Sequence, residues 1–91
     1  MVEVVFAKAF RRHVECPEAS FEGSTVGDVL DAYFARFPLA RGYVLDGTGA
    51  VRKHVAVFRN QDLIVDRREL TDAVAAGDRI HVFQALSGGS T

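Results

Sequence analysis

Residues 25–38 restrict the fold of this chain more than any other part of its sequence. Thr25 and Asp28 have the spacing of a capping box, with aspartate in place of the usual glutamate, and they predict the start of a helix. Pro38 predicts that this helix ends at about Phe37. Apolar residues recur between these limits at helical spacing and predict one buried stripe: Val26, Val29, Leu30, Tyr33, Phe34 and Phe37. An amphipathic helix must bury such a stripe, and we expect it to pack on a sheet.

The sequence on both sides of this helix is typical of β-strands. Apolar runs bounded by turn residues predict strands within residues 2–10, 14–22, 43–45, 54–59, 63–65 and 80–86. Phe21 is the clearest core candidate of the second run, and Pro17 places that run at a sheet edge or a bulge. The order of elements predicts an α+β domain with a mixed sheet of four to five strands and one main helix on one face, the plan of a β-grasp.

The length of 91 residues allows one domain, with a modest core. We expect this domain to occupy residues 1–86. Residues 87–91, with the sequence SGGST, have no means of packing and are expected to form a flexible C-terminal tail.

Composition and charge argue against several classes of protein. The formal net charge is −1, and eleven Lys and Arg residues are interleaved with twelve Asp and Glu residues, so we expect no nucleic-acid partner. No apolar stretch is long enough to span a bilayer, so no membrane association is expected. The N-terminal sequence lacks the pattern of a secretory signal. The simplest expectation is a cytoplasmic protein.

The residue types that support catalysis or metal binding are present but scattered. His13, His54 and His81 show no ligand spacing with each other or with Cys16, so no metal site is predicted. Cys16 is the single cysteine, no partner base can be named for it, and we expect an inert small residue. The sequence therefore predicts no catalytic side chain and no bound cofactor.

Both ends of the chain resemble a known family. The pieces that carry the resemblance are Val4–Ala7 with Arg11, then Asn60-Gln61, Leu70-Thr71, the AGDRI sequence of residues 76–80, and Leu86-Ser87-Gly88-Gly89. Their types and order are similar to those of the ubiquitin-like sulfur carriers MoaD and ThiS, especially MoaD, the small subunit of molybdopterin synthase. The resemblance implies a ubiquitin-like β-grasp fold and a carrier rather than an enzyme.

The resemblance also implies a chemistry for the C-terminus. An activating enzyme of the E1 type, similar to MoeB or ThiF, would use ATP and magnesium to adenylate the carboxylate of Gly89. A sulfur donor would then displace AMP and leave a thiocarboxylate for an acceptor biosynthetic enzyme. Leu86, Ser87 and Gly88 would give the terminus access to the partner's active site, because glycine at this point adopts whatever conformation a narrow channel demands.

Two features depart from the usual pattern of the family. Carriers of this kind usually end at the second glycine, whereas this chain continues with Ser90 and Thr91. It resembles in this respect the CysO- and QbsE-like subset, from which a JAMM-type metallopeptidase removes a short extension. Ala85 stands where ubiquitin has an arginine that its own activating enzyme recognises. We therefore expect activation by a bacterial type of enzyme rather than by that of ubiquitin.

Strand alternation predicts a face for partner binding. If Ile80 and Val82 point at the helix, His81 and Phe83 point out of the opposite face. If Val55 and Val57 point inward in the neighbouring strand, Phe58 points outward. It then forms an exposed apolar patch with His81 and Phe83. A shift of one residue in that strand would instead move Phe58 into the core.

Two other functions remain open at this stage. The chain could be a protein modifier that is attached through Gly89 to lysines of its targets. It could also be a non-enzymatic β-grasp binding module in which Gly88-Gly89 has no chemical role. The pathway, the sulfur donor, the acceptor enzyme and the oligomeric state are not determined by the sequence.

Overall fold

A computed structural model describes residues 1–84 of the chain. It contains three helices and a mixed five-stranded sheet with the strand order β2-β1-β5-β3-β4. The strands are β1 (Val2–Phe6), β2 (Ala19–Phe21), β3 (Val55–Arg59), β4 (Asp62–Leu63) and β5 (Arg79–Gln84), and the helices are α1 (Lys8–Arg11), α2 (Val26–Arg36) and α3 (Pro38–Val44). The predicted α+β class, with five strands and one main helix, is confirmed.

The centre of the sheet is a parallel pair formed by the first and last strands. β1 pairs with β5 in parallel, with Val4 opposite Ile80, while β2 and β3 pair antiparallel with β1 and β5. The two edge strands, β2 and β4, are only three and two residues long. Short edges of this kind offer little template for unwanted strand pairing. The predicted edge position of the second strand is confirmed.

The main helix, α2, begins and ends where its sequence predicts. The Thr25 side chain accepts a hydrogen bond from the Asp28 backbone N–H at 3.1 Å, and the Asp28 carboxylate accepts one from the Ser24 backbone N–H at 3.3 Å. This is close to a capping box, except that the Asp28 carboxylate accepts from the residue before the N-cap rather than from the N-cap itself. The helix ends at Arg36, and Phe37 is its C-cap. The predicted stripe faces the sheet: Val26, Val29, Leu30, Tyr33 and Phe34 are buried, and Phe37 is partly buried against the core.

Tyr33 is the largest fully buried side chain of the core. Its ring lies 5.2 Å from that of Phe6 and 4.9 Å from that of Phe37, measured between centroids. Its hydroxyl donates a hydrogen bond to the Pro17 carbonyl at 2.7 Å, so the one polar atom of the side chain is satisfied. Burial raises the pKa of the Tyr33 hydroxyl well above its usual range. The helix is thereby joined to the segment that leads into β2.

A loop over residues 65–72 covers the start of α2. The Asp66 carboxylate accepts hydrogen bonds from the backbone N–H groups of Glu69, Arg68 and Thr71 and from the Thr71 hydroxyl. The Leu70 carbonyl in turn accepts from the Gly27 backbone N–H at 2.9 Å. A Cβ at Gly27 would lie 3.2 Å from that carbonyl oxygen, so glycine permits the close approach of loop and helix.

The predicted strand at residues 43–45 is wrong. Tyr43 and Val44 belong to α3, and Leu45 forms a single bridge with Val51. The reason is that Pro38 does not only end α2 but also occupies the first turn of α3, where its missing N–H costs nothing. Ala40 and Val44, four residues apart, are then both buried.

The boundaries of three predicted strands also differ from the structure. The first strand stops at Phe6, because Phe10 lies on α1 and packs edge-on against Phe6 at 5.5 Å. The second covers only Ala19–Phe21 of the predicted run. β4 covers Asp62–Leu63 rather than 63–65, and Val65 is exposed. The strands are thus shorter than the apolar runs that predicted them.

Candidate functional site

The face of the sheet opposite α2 is the candidate site, and the register of β3 and β5 determines which residues it presents. Val57 lies opposite Val82 and both are fully buried under the helix. Phe58 therefore lies opposite His81 on the other face, beside Phe83. The predicted alternation in both strands is confirmed, and Phe58 is not part of the core.

Three side chains predicted to bind a partner lie together on this face. The rings of Phe58 and Phe83 meet edge to face at 5.5 Å, with an interplanar angle of 86°. The His81 ring stacks on Phe83 at 5.7 Å with an angle of 8°. Phe83 is nevertheless 41% exposed. The aromatic rings are thus held in place by each other while one of them remains open to solvent, which is the condition of a pre-organised contact surface.

Two further residues extend this surface and were missed by the sequence interpretation. Val5 lies opposite His81 on β1, and Leu63 lies opposite Phe58 on β4, where it is 53% exposed. The alternation of Val2, Val4 and Phe6 was a signal that could have placed Val5 outward. Leu63 could not be placed without the register of β4. The five residues that we call the outer-face patch are Val5, Phe58, Leu63, His81 and Phe83.

Asn60 and Asp78 hold the strands of the patch in register. The Asn60 backbone N–H donates to the Arg79 carbonyl at 2.7 Å, and the Asn60 side-chain oxygen accepts from the Arg79 backbone N–H at 3.0 Å. The side-chain amide of Asn60 donates to the Asp78 carboxylate at 3.1 Å. Asp78 also accepts from the Ala75 backbone N–H at 2.8 Å. The Ala75 hydrogen bond, and then that of Asn60, lower the pKa of Asp78. The turn residues that resemble the family motif therefore align β3 with β5.

Ion pairs border one end of the patch. The Arg79 Nε lies 2.7 Å from the Glu3 carboxylate, and the Arg59 guanidinium lies 3.4 Å from that of Asp78. These pairs lie where β5 begins, at the end of the strand remote from Gln84. An apolar surface with a charged border on one side is the usual anatomy of a protein-binding site.

The predicted chemical site lies outside the described residues. This applies to Gly89, to the access residues Leu86, Ser87 and Gly88, and to the extension Ser90-Thr91. The structure does show what precedes them: Gln84 is the last described residue, on β5, paired with Val55 of β3. The strand that carries His81 and Phe83 is therefore the one that leads to the two glycines.

The other residues considered for catalysis are explained by the fold. Cys16 is 3% exposed, and burial raises the pKa of its thiol, with Arg11 acting in the opposite direction. His13 and His54 are exposed. Within residues 1–84, no three His, Cys, Asp or Glu side chains are grouped so that they could hold a metal ion. Nor is any helix in that part of the chain long and apolar enough to cross a membrane.

The sequence pattern of the ThiS family matches residues 5–89, which include all of the outer-face patch and both Gly88 and Gly89. The chain belongs to the ThiS family. It is also 36% identical over 66 residues to small archaeal modifier protein 1 of Haloferax volcanii, a match that spans 72% of this chain and 71% of the relative.

Solved structures agree with this assignment. The crystal structure of SAMP1 from Haloferax volcanii superposes with a TM-score of 0.76 and 28% identity, over 97% of this chain and 98% of that one. CysO from Mycobacterium tuberculosis gives a TM-score of 0.80 over 94% and 100% of the two chains, at 22% identity, and so supports the fold alone. The predicted ubiquitin-like β-grasp is confirmed. The chain is a ubiquitin-like small modifier or sulfur carrier of the ThiS and MoaD type.

Proposed function

We propose that this protein is a sulfur carrier whose C-terminal glycine, Gly89, is activated by an E1-like enzyme and converted to a thiocarboxylate. The observation that carries the proposal is the continuity of β5. One strand presents His81 and Phe83 on an open apolar face and then leads, beyond Gln84, into Leu86-Ser87-Gly88-Gly89. An enzyme that grips the face is therefore placed to receive the terminus that follows it.

The proposed chemistry has two steps. The Gly89 carboxylate attacks the α-phosphate of ATP, which the partner binds with magnesium, and pyrophosphate leaves. A sulfide equivalent from a sulfur donor then adds to the acyl adenylate and expels AMP, which leaves the thiocarboxylate. The first step is needed because a carboxylate is a poor electrophile. In this scheme Ser90 and Thr91 are removed beforehand, by a JAMM-type metallopeptidase.

This chain contributes recognition and access to these steps rather than catalysis. Three carboxylates within residues 1–84 have a lowered pKa: Asp46, Asp66 and Asp78. Each has a structural role, because it accepts hydrogen bonds from turn or loop N–H groups. The glycines at the terminus fit the proposal because a channel into a partner's active site has no room for a β-carbon. We expect activation to take place in the cytoplasm, because it consumes ATP.

We assign the outer-face patch to docking of the activating enzyme and, afterwards, of the acceptor enzyme. Both enzymes must receive the same terminus, so both are expected to use the surface that precedes it, one after the other. The central position and ring packing of Phe58 and Phe83 make them the expected energetic centre of this interface. Leu63 and Val5 would lie toward its margins.

Protein modification is the second candidate. The similarity to a protein named small archaeal modifier protein 1 favours it, and an activated Gly89 would react equally with an amine. The product would then be an amide bond to a lysine of a target protein. Lys8 and Lys53 are both exposed and would be the acceptors in any self-conjugation.

The intact mass of the protein isolated from its own cells tests the proposal. Loss of Ser90-Thr91 together with replacement of one oxygen by sulfur is the expected result. Adducts of high mass on a denaturing gel, without any thiocarboxylate, would favour the modifier instead. A full-length, unmodified chain under all growth conditions would contradict both.

Gly89→Ala provides the matching variant test. We expect it to lose most of the thiocarboxylate without any change in thermal stability. Gly47→Ala is the control, because a Cβ at Gly47 meets nothing within 4 Å in its exposed turn. An equal thiocarboxylate yield from both variants would argue against Gly89 as the reacting residue.

A further inference from the structure

A groove of about 380 Å³ lies beside the end of β5, on the side of the sheet that carries the helices. Its floor includes Phe10 of α1 and Val55 of β3, and Tyr43 of α3 forms a wall. His13, Arg52 and His54 also line it. We call this feature the basic groove. The proposed function, which uses the opposite face of the sheet, does not account for it.

The apolar part of the basic groove can accept a large side chain. Phe10 and Val55 are 5% and 4% exposed, so they form a solid floor that belongs to the core. Tyr43 is 42% exposed, and its ring stacks with His13 at 6.4 Å and 13°. The Tyr43 hydroxyl also makes a long hydrogen bond, 3.4 Å, to the His13 carbonyl. The Tyr43 ring is thus held at the edge of the apolar part of the groove.

Arg52 is held at the rim in a way that leaves its charge available. Its Nε donates to the Gly42 carbonyl at 2.7 Å, and its own carbonyl accepts from the Arg67 guanidinium at 2.6 Å. The ion pairs within residues 1–84 involve Arg11, Arg59 and Arg79, and none includes Arg52. A guanidinium fixed at one nitrogen keeps its outer N–H groups for a carboxylate.

The formal charge carried by the lining residues of the groove is positive. No carboxylate is among its lining residues. Asp46 is near enough for Arg52 to contribute to its lowered pKa, but the Thr48 side chain contributes the most and Arg52 the least. Lys53 and Arg12, the sequence neighbours of lining residues, are exposed. The lining of the groove therefore combines the Arg52 guanidinium with no carboxylate, beside Gln84 of β5.

From this arrangement we propose that the basic groove docks an acidic segment of the enzyme that receives the C-terminus, with one large apolar side chain of that segment inserted beside Tyr43. Phe83 and Gln84 are adjacent in β5. Phe83 belongs to the outer-face patch, and Gln84 lines the basic groove. An enzyme that contacts both the outer-face patch and the basic groove would bind β5 on both faces, just before the C-terminal segment. The identity of the enzyme rests on the proposed function; the groove's preference for an acidic, apolar segment does not.

A synthetic peptide tests the groove by itself. The probe is acetyl-Glu-Asp-Phe-Glu-Asp-amide, titrated into nitrogen-15-labelled protein that ends at Gly89 and followed by amide chemical shifts. We expect saturable shifts centred on His13, Tyr43 and Arg52, weakened at high salt because the rim is exposed. Peptides with alanine for phenylalanine, or with lysine for every acid, are expected to bind more weakly. Shifts that are absent, or that are spread evenly over the surface, would overturn the proposal.

Charge reversal supplies the matched comparison. Arg52→Glu removes one attraction and adds one repulsion, and we expect the peptide to bind about 5-fold more weakly or worse. Arg68→Glu is the control, because it changes the net charge equally and the Arg68 hydrogen bond in the structure comes from its backbone N–H. Equal losses in the two variants would show an effect of net charge alone and would refute a specific groove.

Two further measurements separate the possible occupants and the two proposals. A chain shortened to end at Gln84 is expected to bind the peptide with unchanged affinity; tighter binding would mean that residues 85–89 occupy the groove themselves, which contradicts our assignment.

In pyrophosphate exchange with the activating enzyme, Arg52→Glu is expected to raise KM about 5-fold with kcat retained. An unchanged KM, with wild-type protein still activated, would overturn the groove and leave the sulfur-carrier function intact.

Discussion

Phe83 and Val82 are neighbours in β5 whose side chains lie on opposite faces of the sheet, and they allow the function of the outer-face patch to be separated from the stability of the fold. Phe83 is 41% exposed, whereas Val82 is fully buried between the sheet and the helix. We expect Phe83→Ala to impair partner binding with little loss of stability. We expect Val82→Ala to impair stability with little loss of binding by the molecules that remain folded.

The magnitudes follow from burial. Val82→Ala removes two buried methyl groups, worth about 0.8 kcal/mol each in transfer, and adds a cavity term, so the expected loss is about 2–3 kcal/mol. For a domain of this size, such a loss lowers Tm by roughly 10–20 °C. Phe83→Ala removes mainly the edge-to-face contact with Phe58 and the stacking of His81, so the loss of stability is about 1 kcal/mol. At the centre of an interface, the same truncation costs about 2 kcal/mol of binding free energy, or about 30-fold in affinity.

Pyrophosphate exchange by the activating enzyme, with carrier ending at Gly89 as the varied substrate, provides the assay. Phe83→Ala is expected to raise KM about 30-fold with kcat nearly unchanged, because the contact is made equally in the ground state and the transition state. Calorimetric unfolding of the same preparations gives Tm. Both measurements are made well below the Tm of Val82→Ala, so that unfolding does not enter the kinetics.

The opposite pattern would refute the reasoning. If Phe83→Ala keeps the wild-type KM, the outer-face patch does not bind the activating enzyme, whatever happens to the C-terminus. If Phe83→Ala lowers Tm as much as Val82→Ala, the ring is part of the core and the burial argument is wrong. A rise in KM for Phe83→Ala alone is the result that assigns recognition to this face.

Three further predictions concern the scaffold that presents the patch and the terminus. Tyr33→Phe leaves the Pro17 carbonyl without its donor and should lower stability by about 1 kcal/mol, seen as a fall of roughly 4–8 °C in Tm; an unchanged Tm would mean that water replaces the hydroxyl. Thr25→Ala removes the N-cap of α2 and should cost about 1 kcal/mol in chemical denaturation, whereas Thr25→Ser should cost less. Hydrogen bonds from the Glu69 N–H and then the Thr71 hydroxyl lower the pKa of Asp66 from 3.8 to about 2, so its stabilising effect is complete above about pH 4 and is lost as the pH falls toward 2. Asp66→Ala should therefore lower Tm at neutral pH and reduce the acid-induced fall in Tm, and an acid-induced fall equal to that of the wild type would contradict this origin.

The two proposed contact surfaces imply a common geometry for recognition. The outer-face patch is apolar and lies on one side of β5, while the basic groove lies on the other side at the end of the same strand. Apolar contact supplies most of the affinity in such an interface, and charge supplies orientation and the rate of encounter. A partner that uses both would hold the strand before Leu86 in one orientation. That is what an enzyme needs if it is to act on a terminus without any side chain to recognise at Gly88 and Gly89.

The sequence by itself determined the features that depend on local spacing. The stripe from Val26 to Phe34 and the pairing of Thr25 with Asp28 set the position of α2, because helical periodicity and capping involve residues only three or four apart. The alternation within 55–59 and 79–84 likewise placed Phe58 and Phe83 on the outer face. The family resemblance rested on short pieces that the fold brings together, such as Asn60 and Asp78.

Only the tertiary structure decided the features that depend on which distant segments meet. Tyr43 and Val44 suit a strand or a turn of helix equally well as an isolated apolar pair, and burial of Val44 with Ala40 selects the helix. Val5 and Leu63 join the outer-face patch only because β1, β5, β3 and β4 align in one register across the sheet. The basic groove is assembled from α1, α3 and the segment before β3, which lie far apart in the sequence. Local patterns fix which face a side chain occupies, but packing between distant elements decides which side chains share that face.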